Sequence, residues 1–130
     1  MRLLGIDYGL KKIGLAIGDD EAGVAAPLEV IRNDGEMTTE LLAKRIRDEE
    51  IDAVVCGVPL SQGGHHSSDQ LDRTRAFIES LKSRVTAPVY EEDESFTTKE
   101  SMRIAREEKS GIEEDAIAAS LILQQFLNRE

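Results

Sequence analysis

Arg2-Leu3-Leu4-Gly5-Ile6-Asp7-Tyr8-Gly9-Leu10-Lys11-Lys12-Ile13-Gly14-Leu15-Ala16-Ile17-Gly18-Asp19 opens the chain with two apolar runs on either side of a short turn. The pattern predicts a β-hairpin with strands over Arg2–Asp7 and Ile13–Gly18. Its first strand ends on a carboxylate, Asp7, flanked by Gly5 and Gly9. An acid ending a buried strand is costly to desolvate unless it meets a cation or donors, and the glycines leave room for a bulky charged ligand to approach the backbone. Lys11 and Lys12 stand on the turn beside it. Metal-bound phosphate chemistry accommodates both charges, whereas a turn aspartate capping local amides accounts for Asp7 alone.

Working outward, the spacing predicts a third strand over Leu28–Arg32 after a Gly-Ala-rich turn, which completes a meander. A helix over about Thr38–Glu49 follows, with Leu42 and Ile46 on one face. The unalternating run Ile51–Val58 then reads as a strand buried on both sides. After a loop over Ser61–Ser68 comes a helix carrying Leu71, Phe77, Ile78 and Leu81, and then a short fifth strand over Ala87–Glu91. Two helices close the chain. Thr97-Thr98-Lys99-Glu100 has capping-box spacing for the first, and Gly111 ends it before Glu113–Asn128 forms the second. The expected fold is α/β: a five-stranded mixed sheet, an antiparallel meander followed by parallel strands, flanked by helices.

Composition narrows the class. A chain of 130 residues, 40% hydrophobic and 32% charged, fits a single domain over 1–130. No apolar run approaches the roughly 20 residues of a membrane span. The short apolar start lacks a signal-peptide layout, so the expected location is the cytoplasm, with no membrane partner. Cys56 is the lone cysteine and lies inside the apolar run Ala53–Val58, which reads as a buried strand thiol rather than a nucleophile. The net charge of −10, from 26 acidic and 16 basic residues, disfavours nucleic acid on average, so any such binding needs a local basic patch.

Two further acidic sites stand out. In Glu91-Glu92-Asp93-Glu94-Ser95-Phe96-Thr97-Thr98, alternation sends Glu92 and Glu94 to one face and Asp93 to the other, and only one face can see Asp7. Acids before a helix also favour its positive end without any further role. Asp115 shares a helical face with Ala118, Ala119 and Ile122, so it lies on the packed side of a largely apolar helix. Glu113 and Glu114 read as first-turn acids facing water. His65 and His66, in a Gly-Ser-rich loop, suit either solvation or phosphate contact.

These residues resemble the YqgF/RuvX family, described as Holliday-junction resolvases and as pre-16S rRNA nucleases of RNase H-like fold. The family's Gly-x-Asp-x-Gly-x-Lys-Arg-Ile-Gly is similar to Gly5–Gly14, with Lys12 in place of the arginine. Its Gly-x-Pro-Leu with a following glycine resembles Gly57-Val58-Pro59-Leu60 and Gly64. Its Asp-Glu-Arg-x-[Ser/Thr]-Thr resembles Asp93–Thr98, with Ser95 in place of the arginine. Its Asp-x-x-Ala-Ala-x-x-Ile-Leu matches Asp115–Leu123. The stretch Ala105–Glu114 is short and acidic where relatives often carry a longer basic loop.

The resemblance implies an acidic triad of Asp7, Glu94 and Asp115, with Asp93 as a further metal ligand. It also implies substrate contacts from Gly9, Lys11, Lys12, Gly64 and Thr97. Three converging carboxylates raise their own pKa values unless divalent cations neutralise them, and oxygen-only ligands select Mg²⁺ or Mn²⁺ over zinc. The expected activity is two-metal phosphodiester cleavage with Asp7 as bridging ligand, at the 5′ end of pre-16S rRNA or in four-way DNA. The partner is nucleic acid, and the chain is expected to be a monomer or a homodimer. A non-catalytic binding module is the alternative that Ser95 and the net charge favour. An ATP-dependent kinase half also opens with an Asp-Gly hairpin, but the chain is too short for the second lobe.

Overall fold

A computed structural model describes residues 1–60, 67–94 and 114–129. Five strands form one sheet: β1 (Arg2–Tyr8), β2 (Lys12–Asp19), β3 (Val24–Arg32), β4 (Ala53–Val58) and β5 (Val89–Asp93), in the order β3-β2-β1-β4-β5. β1, β2 and β3 form an antiparallel meander, and β4 and β5 add to β1 in parallel. The expected mixed sheet is the observed one.

Strand alternation divides the core between the two faces. Leu4 and Ile6 of β1 and Ile13 and Leu15 of β2 point to one side. There they meet Leu42 and Ile46 of α1 (Glu36–Asp48) and Phe77, Ile78 and Leu81 of α2 (Ser67–Lys82). On the other side Leu3, Ala16 and Val55 pack beneath Ala119, Ile122, Leu123 and Phe126 of α3 (Glu114–Arg129). All six residues of β4 are buried because both faces are covered, which explains the unalternating apolar run there.

The face under α3 is floored by small residues. A Cβ on Gly14 would lie 1.9 Å from the carbonyl oxygen of Asp115, and one on Gly5 would lie 3.0 Å from that of Ala119. The helix backbone therefore rests directly on the strands, at positions where any side chain would lift it.

Several boundaries differ from expectation, most by a residue or two. β3 begins at Val24 rather than Leu28, because Ala25, Ala26 and Pro27 pair with Gly18, Ile17 and Ala16. Proline is tolerated on this edge strand, next to a register shift at Leu15/Ala16. α1 starts at Glu36, before Thr38, whose hydroxyl accepts from the Asp34 N–H and donates to the Arg32 carbonyl. β4 starts at Ala53 rather than Ile51. β5 runs Val89–Asp93 rather than Ala87–Glu91, which brings Asp93 to the strand's end and Glu94 just beyond it. The predicted helix beginning near Thr97 and the loop residues 61–66 lie outside the described residues. Among the described residues no helix is long and apolar enough to cross a membrane.

Candidate active site

Asp7 leaves the sheet on the α3 side, since its neighbours Ile6 and Tyr8 both pack on the α1 and α2 side. Its cross-strand partner is Gly14, the glycine on which the Asp115 carbonyl rests. The same bare position that lets α3 descend thus sets Asp115 beside Asp7. Glu94 arrives from the other direction, at the end of β5, and its Oε1 lies 3.2 Å from where a Cβ on Gly57 would stand. Gly57, on the strand between β1 and β5, gives the glutamate its room.

Electrostatics tie the three acids together. The Asp7 carboxyl is pushed from 3.8 up to about 7, chiefly by burial and then by the charges of Glu94 and Asp115. Glu94 is raised as well, by burial and then by the charge of Asp93. The Cys56 thiol, fully buried beneath this cluster, is pushed far above its ordinary value by desolvation and by Asp7 and Glu94, which leaves it protonated and inert. Asp7 thus feels the charges of both other acids.

The donor set consists of hard carboxylate oxygens, which suits Mg²⁺ or Mn²⁺. Among the described residues no three His, Cys, Asp or Glu side chains stand ready as a cage for one ion. Charge links Asp7 to Glu94 and to Asp115 across the site.

Of the other expected site residues, Gly9 sits in the hairpin turn, where a Cβ would lie 2.6 Å from the Lys12 carbonyl oxygen. Lys11 and Lys12 are exposed on the same turn. Asp93 is partly buried at the end of β5. Gly64 and Thr97, like His65 and His66, lie outside the described residues. Glu114 is exposed, as a first-turn acid should be.

Three features escaped the sequence reading. Asn33 fastens the hairpin turn, its Nδ2 donating to the Gly9 carbonyl at 2.7 Å and its backbone N–H to that of Lys11 at 2.9 Å. Asn33 stands before Asp34-Gly35, a turn signal that was the available clue. Glu92, alternating onto the same face as Glu94, is held away from Asp7. Arg129 donates to both its carboxylate oxygens at 2.6 Å, and Gln125 donates at 2.6 Å to one of them. Gln125 and Arg129 at helical spacing were the available signal. Tyr8, finally, stacks on Phe77 with ring centroids 4.6 Å apart.

The family model of RuvX, described as Holliday junction resolvase, matches residues 1–129. The chain belongs to the RuvX family. A relative named "Putative pre-16S rRNA nuclease" from Albidiferax ferrireducens is 37% identical over 125 residues, covering 95% of this chain and 76% of that one. Another of the same name, from Lactobacillus acidophilus, is 35% identical over 139 residues, covering 98% and 96%. The RuvX and relatives' names alike denote enzymes that cleave phosphodiester bonds, so membership places the chain among nucleases. A solved structure of T. thermophilus RuvC in complex with Holliday junction substrate matches with a TM-score of 0.64 at 15% identity, covering 99% of this chain and 94% of that one. That match concerns the fold, the RNase H-like arrangement expected of RuvX proteins.

Proposed function

We propose that this RuvX protein is a single-domain, cytoplasmic, divalent-metal-dependent nuclease that matures the 5′ end of pre-16S rRNA. The observation that carries the reading is Asp7: a buried carboxyl at the end of β1, raised to about 7 by burial and by acids from two other elements. A fold places such repulsion at one point at a cost that a structural role does not need, and a divalent cation relieves it.

Asp7, Glu94 and Asp115 would hold the metal, with Asp93 as a further ligand. Bound Mg²⁺ or Mn²⁺ supplies an activated water and neutralises charge on the departing 3′ oxygen. Burial keeps bulk water from screening the carboxylates, so their attraction for the cation is strong. Asp7, which feels the charges of both Glu94 and Asp115, would be the central ligand. Lys11 and Lys12 would contact phosphates of the strand. The bare Gly9 lets the strand come close, and Gly64 and Thr97 remain family-based candidates for substrate contact.

Cleavage of four-way DNA is the second reading, favoured by the RuvX description and by the fold shared with T. thermophilus RuvC. It requires two sites facing opposite strands, hence a symmetric homodimer, whereas rRNA trimming works with a monomer. The deciding experiment incubates the protein with Mg²⁺ or Mn²⁺ against precursor rRNA, single-stranded RNA and four-way DNA. It is paired with mapping of 16S rRNA 5′ ends in depleted cells. Metal-dependent trimming of precursor and extended 16S ends in the cell are expected. Normal 16S ends with cleavage of four-way DNA alone would replace the first reading by the second, and no cleavage with any metal would leave a binding module.

A further inference from the structure

Across the end of β1 from the three acids lies a cleft that the chemistry above leaves unused. Its volume is about 320 Å³, and it is lined by Tyr8, Gly9 and Leu10 of the hairpin turn and by Gln70, Arg73 and Thr74 of α2. Asp7 and Tyr8 are consecutive in one strand, so their side chains leave from opposite faces. A nucleic acid strand crossing this sheet edge at Asp7 therefore meets the cleft within a residue's span.

The lining is unusual for so acidic a protein. Among the described residues it contains one guanidinium and no carboxylate. Elsewhere on the α1 and α2 side arginines are engaged: Arg45 with Glu29 and Glu49, Arg47 with the Arg84 carbonyl, Arg75 with Glu91, and Arg84 with Glu36 and Glu40. Among the described residues Arg73 has no such partner. Asp72, beside it on the helix, acts on Arg75 instead. With 26 acids to 16 bases, a guanidinium is not left over for want of carboxylates. A planar, weakly hydrated cation kept open in a cleft suits a phosphate oxygen or the face of a base.

The remaining walls are apolar or neutral. The Tyr8 ring is fixed by its stack on Phe77. Leu10 is 62% exposed, an apolar lip with nothing over it. The Thr74 hydroxyl is already spent on the Gln70 carbonyl, which leaves the Gln70 amide as the neutral polar group at the rim. A rigid ring, an aliphatic lip, an amide and an open guanidinium are what an unstacked nucleotide requires: a surface for the base, a reader for its edge and a cation for its phosphate.

We propose that this cleft is the subsite for an unpaired nucleotide next to the scissile phosphate. The base enters between Leu10 and Tyr8, Gln70 meets its edge, and Arg73 takes its phosphate. The proposal rests on the nuclease reading and deepens it, because a base held in a duplex cannot enter a concave site. The enzyme therefore selects strands that are single at that position.

The test reads binding and cleavage separately. Labelled oligonucleotides of the cleaved sequence, carrying single abasic sites stepped across the cut, are bound to Asp7→Asn protein and followed by anisotropy. One abasic position beside the cut should weaken binding about tenfold, the scale of one stacked base. Adding Leu10→Ala or Arg73→Ala should shrink that penalty below about twofold, and Arg73→Ala should also lower the salt slope by about one. Arg75→Ala, the same charge change two residues along, should keep the penalty. With wild-type protein, pairing that nucleotide to a complementary strand should raise KM about tenfold with kcat little changed. Asp7-dependent cleavage with a flat abasic series, or with Leu10→Ala and Arg73→Ala binding as wild type does, overturns the subsite alone. No cleavage of any substrate by wild type overturns the nuclease reading and the subsite with it.

Discussion

Asp7→Asn keeps the shape of the side chain and removes the charge at the centre of the acidic cluster. The native protein holds the Asp7 proton up to about pH 7, whereas an unperturbed carboxyl releases it near 3.8. Between those values the native state binds more protons than the unfolded chain, so wild-type stability falls as pH rises through the window and is flat on either side. At about 1.4 kcal/mol per pH unit the gap amounts to about 4 kcal/mol at the alkaline end. The asparagine amide still needs partners in a mostly buried site, so a gain of about half, roughly 2 kcal/mol, is expected. For a chain of this size that is roughly 6–10 °C in Tm. Melting curves in a chelator at pH 4 and pH 8 are the assay: the variant should lie about 2 kcal/mol below wild type at pH 4 and about 2 kcal/mol above it at pH 8. Mg²⁺ at ten times its Kd should then raise wild type by about 1.4 kcal/mol and the variant by much less, and cleavage by the variant should fall by orders of magnitude. Parallel pH curves, equal responses to Mg²⁺ or undiminished cleavage would refute the reasoning.

Gly14→Ala should cost about 3 kcal/mol and abolish cleavage, because its methyl would displace the backbone that seats Asp115. Gly23→Ala, at φ +70° with open space around it, should cost about 1 kcal/mol and leave cleavage alone; denaturant melts and activity assays on both check this. Arg129→Ala leaves the buried Glu92 carboxylate with Gln125 alone and should cost roughly 2–3 kcal/mol, at the low end because the guanidinium is half in water. Adding Glu92→Gln should recover part of that loss in urea melts, whereas a purely additive double variant would argue that the pair contributes little. Changing both Lys11 and Lys12 to Ala should weaken oligonucleotide binding across sequences and lower the salt slope by about two at most; an unchanged slope would mark them as solvated turn residues.

The parts of the fold legible in the sequence are those written in local pattern. The hairpin, the buried β4 and the apolar α3 each carry their signal within a dozen residues, and Asp7 and Asp115 are conspicuous as acids in apolar settings. The start of β3 was hidden because Ala25, Ala26 and Pro27 have low strand propensity. The ladder to Ala16, Ile17 and Gly18 overrides that propensity, and it is visible only once the meander forms. Alternation alone could not separate Glu92 from Glu94, which share a face. The family pattern preferred Glu94; in the structure Arg129 and Gln125, more than 30 residues away in the chain, occupy Glu92. Gly14 was readable as a motif glycine but not as the seat of α3, since that contact spans about a hundred residues.

The net charge of −10 remains the feature most at odds with nucleic acid, and the structure shows how the opposition is localised. Many of the acids around α1, α2 and β5 are compensated where they stand: Glu29 and Glu49 by Arg45, Glu36 and Glu40 by Arg84, Asp48 by Lys44, Glu91 by Arg75, Glu92 by Arg129. Asp7, Glu94 and Asp115 account for three of the ten excess negative charges, a share that two divalent cations held there would more than offset, and Lys11, Lys12 and Arg73 would be the cations left to meet a strand. If Lys11, Lys12 and Arg73 each meet one phosphate, a salt slope of roughly −2 to −3 follows, shallow for a nucleic-acid enzyme. Long-range steering is therefore weak, and affinity arises at contact. Metal and strand would each lower the electrostatic cost the other meets, so by linkage they should bind cooperatively and to the same degree in either order. On the proposed reading, this acidic protein should hold nucleic acid well only once its metal is in place, so strand binding measured with Mg²⁺ and with chelator should differ, and equal affinities would refute the coupling.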